Sequence, residues 1–223
     1  MPQNKIIKLY KKLLKQYGRP DGQWKLWCRR PKNIPQREEV IIGAILTQRA
    51  NWKNVMLAIN NLKKAKIGTL SGVYKFELKN KNKLADLIRP SGFYKQKCEY
   101  LLEMAEFFKK SGGVKKVQKI KLKELREKLL NLHGVGPETA DSILLYALDK
   151  PIFVIDEYTR RLVKKEKLAR NLPPHQRNEA ETFWCGGESY DHLQKLFEIN
   201  LPRNFALYQD FHALIVINGK ISS

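Results

Sequence analysis

The 223-residue sequence has only three cysteines, Cys28, Cys98 and Cys185. They lie far apart, and no pair has the spacing of a zinc, iron–sulfur or redox motif. An odd and sparse set fits a reducing compartment. Long apolar runs are missing too. No stretch approaches the roughly 20 residues of a membrane span, so no membrane partner is expected. The opening "MPQNKIIKLYKKLLKQYG" is cationic and amphipathic. It lacks the apolar core and cleavage site of a signal peptide and reads as a surface-packed helix. Strand signals are almost absent. The one candidate is "IFVI", 152–155, which serves equally well as a short buried connector. Acidic residues are scarce: 22 Asp plus Glu face 43 Lys plus Arg, a formal net charge of +21. Such a surplus points to a nucleic-acid or anionic-membrane partner. A lysine-rich surface of the thermophile kind is the alternative.

What remains is helical in period nearly throughout. A hydrophobic share of 43% supports a substantial core, and the length suits one large domain or two small ones. Asn4 is placed to cap a first helix ending at Gly18. The turn-rich stretch 18–37 carries Trp24 and Trp27. "EEVIIGAILTQ" reads as a buried helix, followed by "NWKNVMLAINNLKKA", "KLADLI", "YKQKCEYLLEMAEFFKK" and "LKELREKLLNL". Later helices are expected around 157–166, 175–184, 190–198 and 203–217. The fold class is all-α, without repeats or a clear linker.

The segment "LHGVGPETADSILLYALDKPIFVIDEYTRR", 132–161, is the most informative. Leu122, Leu125, Leu129, Leu130 and Leu132 mark one helix. Pro137 can open the next, where its missing N–H is not needed. Between them Gly134-Val135-Gly136 permits a tight turn, with Val135 pinned to the core. Unshielded backbone N–H groups at a helix N-terminus suit a phosphate and read no sequence. An ordinary helix–helix turn is the other reading of the same residues. Asp156 stands before a helix start, where it can act as an N-cap.

As a whole this segment resembles the helix-hairpin-helix DNA glycosylases of the endonuclease III superfamily. "EVIIGAILTQ" with "NWKNV" looks like the opening of that family's helical barrel. "IRPSGFYKQK" and "FHALIVINGK" are similar to the endonuclease III-related subgroup that includes 3-methyladenine DNA glycosylase III. The matches run from about residue 24 to residue 220. The resemblance implies two helical subdomains flanking a DNA- and base-binding cleft: a barrel over about 36–149 containing the helix-hairpin-helix 122–148, and a second subdomain from about 1–35 plus 150–223. It implies a monomer that acts on double-stranded DNA carrying a damaged base, in the cytoplasm at the nucleoid. Many endonuclease III members carry four cysteines in the tail; this tail has none, so no iron–sulfur cluster or other cofactor is expected. The hairpin leaves room for a monovalent cation.

The resemblance also assigns residues. Asp156 matches the catalytic aspartate. Gln48 matches the residue that fills the gap left by a flipped base. His133, Gly134, Val135, Gly136 and Thr139 join it in the DNA-binding set. Trp52 matches a base-pocket aromatic closely, and Trp24 and Trp27 match loosely. Lys220 aligns with a pocket lysine that is carbamylated in the subgroup. Each also has a structural reading, as core tryptophan, helix-end amide or surface lysine. Lyase-competent members carry a lysine before the "TA" of the hairpin's second helix, where it forms a Schiff base. Glu138 stands there instead, which implies base release by water without strand cleavage. A carboxylate also suits a helix N-terminus in its own right. Asp141 is read as a structural polar residue. His175, His192 and His212 have no metal spacing. The expected activity is a base-excision-repair glycosylase for alkylated purines such as 3-methyladenine. A uracil or thymine mismatch glycosylase and a non-catalytic hairpin DNA-binding protein are the alternatives.

Overall fold

The computed structural model describes residues 2–80, 83–168 and 189–221. The helix expected at 175–184, His175 and Cys185 lie outside the described residues. Every regular element among the described residues is helical. No helix among them is long and apolar enough to cross a membrane. The chain forms two compact units. Unit 1 is built from Met1–Cys28 and Pro151–Ser223, and unit 2 from Arg29–Lys150.

Unit 2 is organised around α3, Ile34–Leu46. Its start is set by a capping box: the Asn33 side chain accepts from the Gln36 N–H at 3.0 Å, and the Gln36 side chain accepts from the Asn33 N–H at 3.0 Å. Such a cap stabilises a helix by about 1 kcal/mol. From Val40 to Leu46 every residue of α3 is buried, which makes it the core helix of the unit. The segment ahead of it belongs to the same unit for a clear reason. Arg37 donates to the Lys32 carbonyl at 3.2 Å, and Lys32 donates to the Arg29 carbonyl at 2.7 Å. Arg37 also donates to the Ala147 carbonyl and pairs with Asp149 at 2.7 Å.

The helices α4, Trp52–Lys64, α5, Leu70–Lys79, α6, Lys83–Ile88, and α7, Tyr94–Lys110, follow. Asn51 and Thr69 cap α4 and α5 through their side chains. The short α8, Val114–Val117, precedes α9, Leu122–Leu130, and α10, Pro137–Ser142. Helix α10 runs on as a π-helical turn, Ile143–Ala147, that is buried throughout.

In unit 1 the first helix, α1, spans Pro2–Tyr17. It starts two residues ahead of the expected Asn4 cap, because proline is at home in a helix's first turn. Trp24–Trp27 form a single turn, α2. Residues 152–155 are buried but form no strand; they are a connector into α11, Glu157–Lys165. Helices α12, Tyr190–Asn200, and α13, Phe205–Ile221, complete the unit. Helix α13 packs on both α1 and α11.

Candidate active site and nucleic-acid interface

The hairpin in unit 2 is fastened by an ion pair. Asp141 on α10 is fully buried and receives Arg126 of α9 at 2.8 Å and 3.2 Å, one bond to each carboxylate oxygen. This two-point bond locks the two helices of the hairpin together and gives Asp141 its structural role. The turn between them has one glycine that the fold demands. Gly134 has φ +78°, and a Cβ there would lie 2.3 Å from the Tyr100 ring. Tyr100 in turn meets the His133 ring edge-on, with centroids 5.0 Å apart. Val135 is buried, as expected. Gly136 differs. Its φ is −84°, it is exposed, and a Cβ there would meet nothing within 4 Å. Among the described residues, neither the Gly134 nor the Gly136 N–H makes a hydrogen bond. The His133 N–H donates to Glu103 at 2.9 Å.

Gln48 is tied to this turn. Its amide donates to the Gly134 carbonyl at 2.9 Å and to the Thr139 hydroxyl at 3.1 Å. Gln48 and Thr139 therefore brace the hairpin against the end of α3. Lys97 supports the same region from below. It is fully buried on α7 and donates to the carbonyls of Leu46 at 2.8 Å and Ser91 at 2.7 Å. Burial pushes its pKa down to about 8. Two residues past Ser91, Phe93 heads α7 with φ +46° and is 58% exposed. A bulky residue in the left-handed region and an apolar ring in water are both unfavourable. Nothing in the sequence marked Phe93. Trp52 is the first residue of α4 and is half-buried.

Unit 1 gathers a different set. Asp156 is the N-cap of α11, and its Oδ1 accepts from the Thr159 N–H at 2.7 Å. Its Oδ2 lies 3.4 Å from Nε2 of His212 on α13. The Asp156 side chain is 13% exposed. Burial by itself raises its pKa, but the adjoining His212 imidazole and the Thr159 N–H outweigh it. The carboxyl is held below its ordinary value of 3.8. Trp24 meets the His212 ring edge-on at 5.9 Å and Trp27 edge-on at 5.9 Å, and both indoles are buried. Lys220, in the last turn of α13, donates to Gln23 at 3.0 Å, beside Trp24. Partial burial lowers its pKa, and the Asp156 charge opposes this. Gly219 explains how α13 comes so close to α11: a Cβ there would lie 2.3 Å from the Tyr158 ring.

The structure thus brings Asp156, Trp24, Trp27 and Lys220 into one unit, and Gln48, Trp52, His133, Thr139 and the two glycines into the other. His212 is the neighbour of Asp156 that no sequence motif marks. Its spacing suits no metal site, and its surroundings in "FHALIVI" read as core.

The all-helical fold, with its braced Gly-Val-Gly hairpin and an aspartate capping a later helix, is matched by one family of DNA repair proteins. The chain belongs to the HhH-GPD superfamily of base excision DNA repair proteins, whose model matches residues 42–185. Over 227 aligned residues it is 40% identical to a Methanocaldococcus jannaschii protein provisionally named a DNA repair glycosylase, covering 99% of this chain and 90% of that one. Among solved structures it resembles the H. pylori 3-methyladenine DNA glycosylase bound to 1,N6-ethenoadenine. That match has a TM-score of 0.73 and 28% identity and covers 100% of this chain and 99% of the other. A trapped endonuclease III–DNA covalent intermediate, at TM-score 0.66 and 16% identity, shares the fold over 98% of this chain and 86% of its own.

Proposed function

We propose that the protein is a monofunctional DNA glycosylase for alkylated purines, 3-methyladenine and its relatives. The observation that carries this is Asp156, largely buried yet held ionised at the head of α11. A buried carboxylate is costly unless it is paired, and here it is paired in a way that keeps its charge. Such a group opposes positive charge well.

Glycosidic cleavage creates that charge. The C1′–N bond breaks and its electron pair leaves with the base, so the sugar gains oxocarbenium character. Asp156 stabilises the cation electrostatically. Water then bonds to C1′, and its proton passes to the carboxylate or to solvent, leaving an abasic site. An alkylated purine that carries a positive charge leaves as a neutral base, which makes the bond easier to break. Aromatic rings suit such a cation, at about 0.5–2 kcal/mol per contact; in unit 2 the half-buried Trp52 at the head of α4 offers one, while in unit 1 the buried Trp24 and Trp27 rings pack beside His212. Lys220 would complement the pocket once carbamylated, as an anion. The likeness to the H. pylori enzyme supports this substrate class.

On the DNA side, the open N–H groups at Gly134 and Gly136 and the exposed His133 suit a backbone phosphate. The +21 charge supplies the sequence-independent attraction. Glu138 cannot form an imine with the sugar, so base release should leave the strand intact. The reading needs no iron–sulfur cluster, and a monovalent cation at the hairpin would be its only inorganic partner. We place the protein as a monomer at the nucleoid.

The test is single-turnover excision on duplexes holding 3-methyladenine, uracil, or thymine opposite guanine, developed with and without alkali. Alkali-dependent cleavage of the methylpurine strand is expected. Release of uracil or thymine instead would overturn the pocket assignment, and strand breaks without alkali would overturn the role given to Glu138.

A further inference from the structure

We propose that His212 is the positioning residue for Asp156: its imidazole, carried in on α13, fixes carboxylate oxygen Oδ2 while the Thr159 N–H fixes Oδ1, so that the acid meets the sugar in one orientation. The functional role rests on the glycosylase reading above; the geometry does not. An N-cap needs one carboxylate oxygen, and Oδ1 fills that need at 2.7 Å from the Thr159 N–H. The second oxygen is met at 3.4 Å by a residue 56 positions later in the chain. His212 is itself 4% exposed, and its Nε2 faces the carboxylate as a charge-type contact rather than a hydrogen bond of good geometry. Its ring is held edge-on by Trp24 at 5.9 Å and by Phe153 at 6.4 Å, so it has little freedom to turn away. Gly219 allows the close crossing of α13 over Tyr158 that delivers it.

The charged and titratable groups around the pair come from several elements. Helix α13 also brings Lys220, whose pKa is lowered by partial burial against the opposing charge of Asp156. Asp210 lies two residues from His212, about 200° around the helix and so on its far side. On α11, Glu157 pairs with Arg161 at 2.8 Å. On α12 the Tyr190 hydroxyl accepts from the Ile155 N–H at 3.3 Å, one residue before Asp156. Helix α2 and the connector contribute the uncharged Trp24 and Phe153 rings. With His212 gone, burial of the carboxyl loses its main opponent.

The experiment follows the Asp156 carboxyl carbon by 13C NMR, assigned with Asp156→Asn, in wild type, His212→Phe and His212→Gln. Wild type should show no titration at or above 3.8, the ordinary carboxylate value. His212→Phe should titrate above it. His212→Gln, which keeps an N–H donor at the site, should fall between. In parallel, single-turnover excision by His212→Phe should drop by roughly 10- to 100-fold at neutral pH, the cost of a reacting group set slightly out of place. Its acid limb should move to higher pH, and His212→Gln should recover most of the neutral rate. An Asp156 midpoint that is the same in all three proteins overturns the proposal, as does an excision profile that keeps its shape and merely scales with folded fraction. If His212→Phe does not fold, an unshifted midpoint in His212→Gln overturns it equally. Wild type that excises no base defeats the glycosylase reading, while the carboxyl titration still decides the role of His212.

Discussion

Alanine at the two hairpin glycines should separate folding from DNA binding. At Gly134 the backbone is left-handed, φ +78°, which costs a residue with a Cβ about 1–2 kcal/mol. The new methyl would also sit 2.3 Å from Tyr100, so the ring must move and its edge contact with His133 is lost. That contact is worth about 1 kcal/mol. The sum, about 2–3 kcal/mol, corresponds to a melting temperature lower by roughly 5–10 °C in a protein of this size. At Gly136 neither term exists, since φ is −84° and the methyl enters open space. Alanine there caps α10 slightly less well but restricts the unfolded chain, and these small effects oppose one another. Gly136→Ala should therefore melt within about 2 °C of wild type. If the turn seats a phosphate, the same methyl occupies the phosphate's place. Duplex binding followed by fluorescence anisotropy over a salt series should weaken, and the slope of log K against log salt should shrink by about 0.9, one phosphate's worth. A Gly136→Ala protein that melts as low as Gly134→Ala would refute the steric argument. One that binds with the wild-type salt slope would refute the phosphate seat.

Four further outcomes are expected. Asp156→Asn keeps the cap and gives up only the small stabilisation of the paired charge, so its melting temperature should fall little while single-turnover excision falls roughly 100- to 1000-fold; a rate loss that only tracks the folded fraction would point to a cap alone. Asp141→Asn leaves Arg126 facing a neutral amide and should cost about 3–5 kcal/mol in urea unfolding, with the excision rate of the folded fraction unchanged. Burial pushes the Lys97 pKa down to about 8 in the folded protein, against 10.5 for an ordinary lysine. Between those values the unfolded chain holds a proton the folded chain has released, so stability rises with pH there, by at most about 1.4 kcal/mol per unit. Urea unfolding at about pH 8 and about pH 9.5 should show this rise in wild type and not in Lys97→Met. Phe93→Gly removes the left-handed strain and should raise stability by about 1 kcal/mol; if the exposed ring enters DNA as an apolar wedge, excision falls at the same time.

Much of the fold was legible because local signals agreed with one another. The Asn33 and Asn51 caps emerge only in the structure, and the expected Asn4 cap gives way to a start at Pro2, but the helical periods of α3, α4, α7 and α9 can be read before any packing is known. The hairpin was legible for the same reason: two glycines, a proline and flanking leucines act within a few residues. Helix α5 was not foreseen, since Gly72 near its start weakens its propensity and only the Thr69 cap announces it. The connector 152–155 was ambiguous by nature, because an apolar run of four has no period to read. The site divides in the same way. Asp156 stands out beside its helix start, but His212 reaches it only through the packing of α13 on α11, which no local pattern records. The two glycines looked equivalent in sequence, and only the Tyr100 ring makes them different.

The division of the chain has a consequence for how the protein is made. Unit 2 is one continuous run, so everything its core needs has been synthesised by Lys150. Unit 1 is discontinuous. Its opening segment, with Trp24 and Trp27, must wait through the whole of unit 2 until α13 arrives to pack on α1 and α11. Only then do His212 and Lys220 reach Asp156. During synthesis the chain therefore holds a complete hairpin before it holds an assembled acid. A chain cut short before α13 would keep every hairpin residue named in unit 2 and lack the partners of the carboxylate. On the proposed glycosylase reading, such a fragment would hold the hairpin's phosphate seat without the assembled acid, and the last long helix would complete the site.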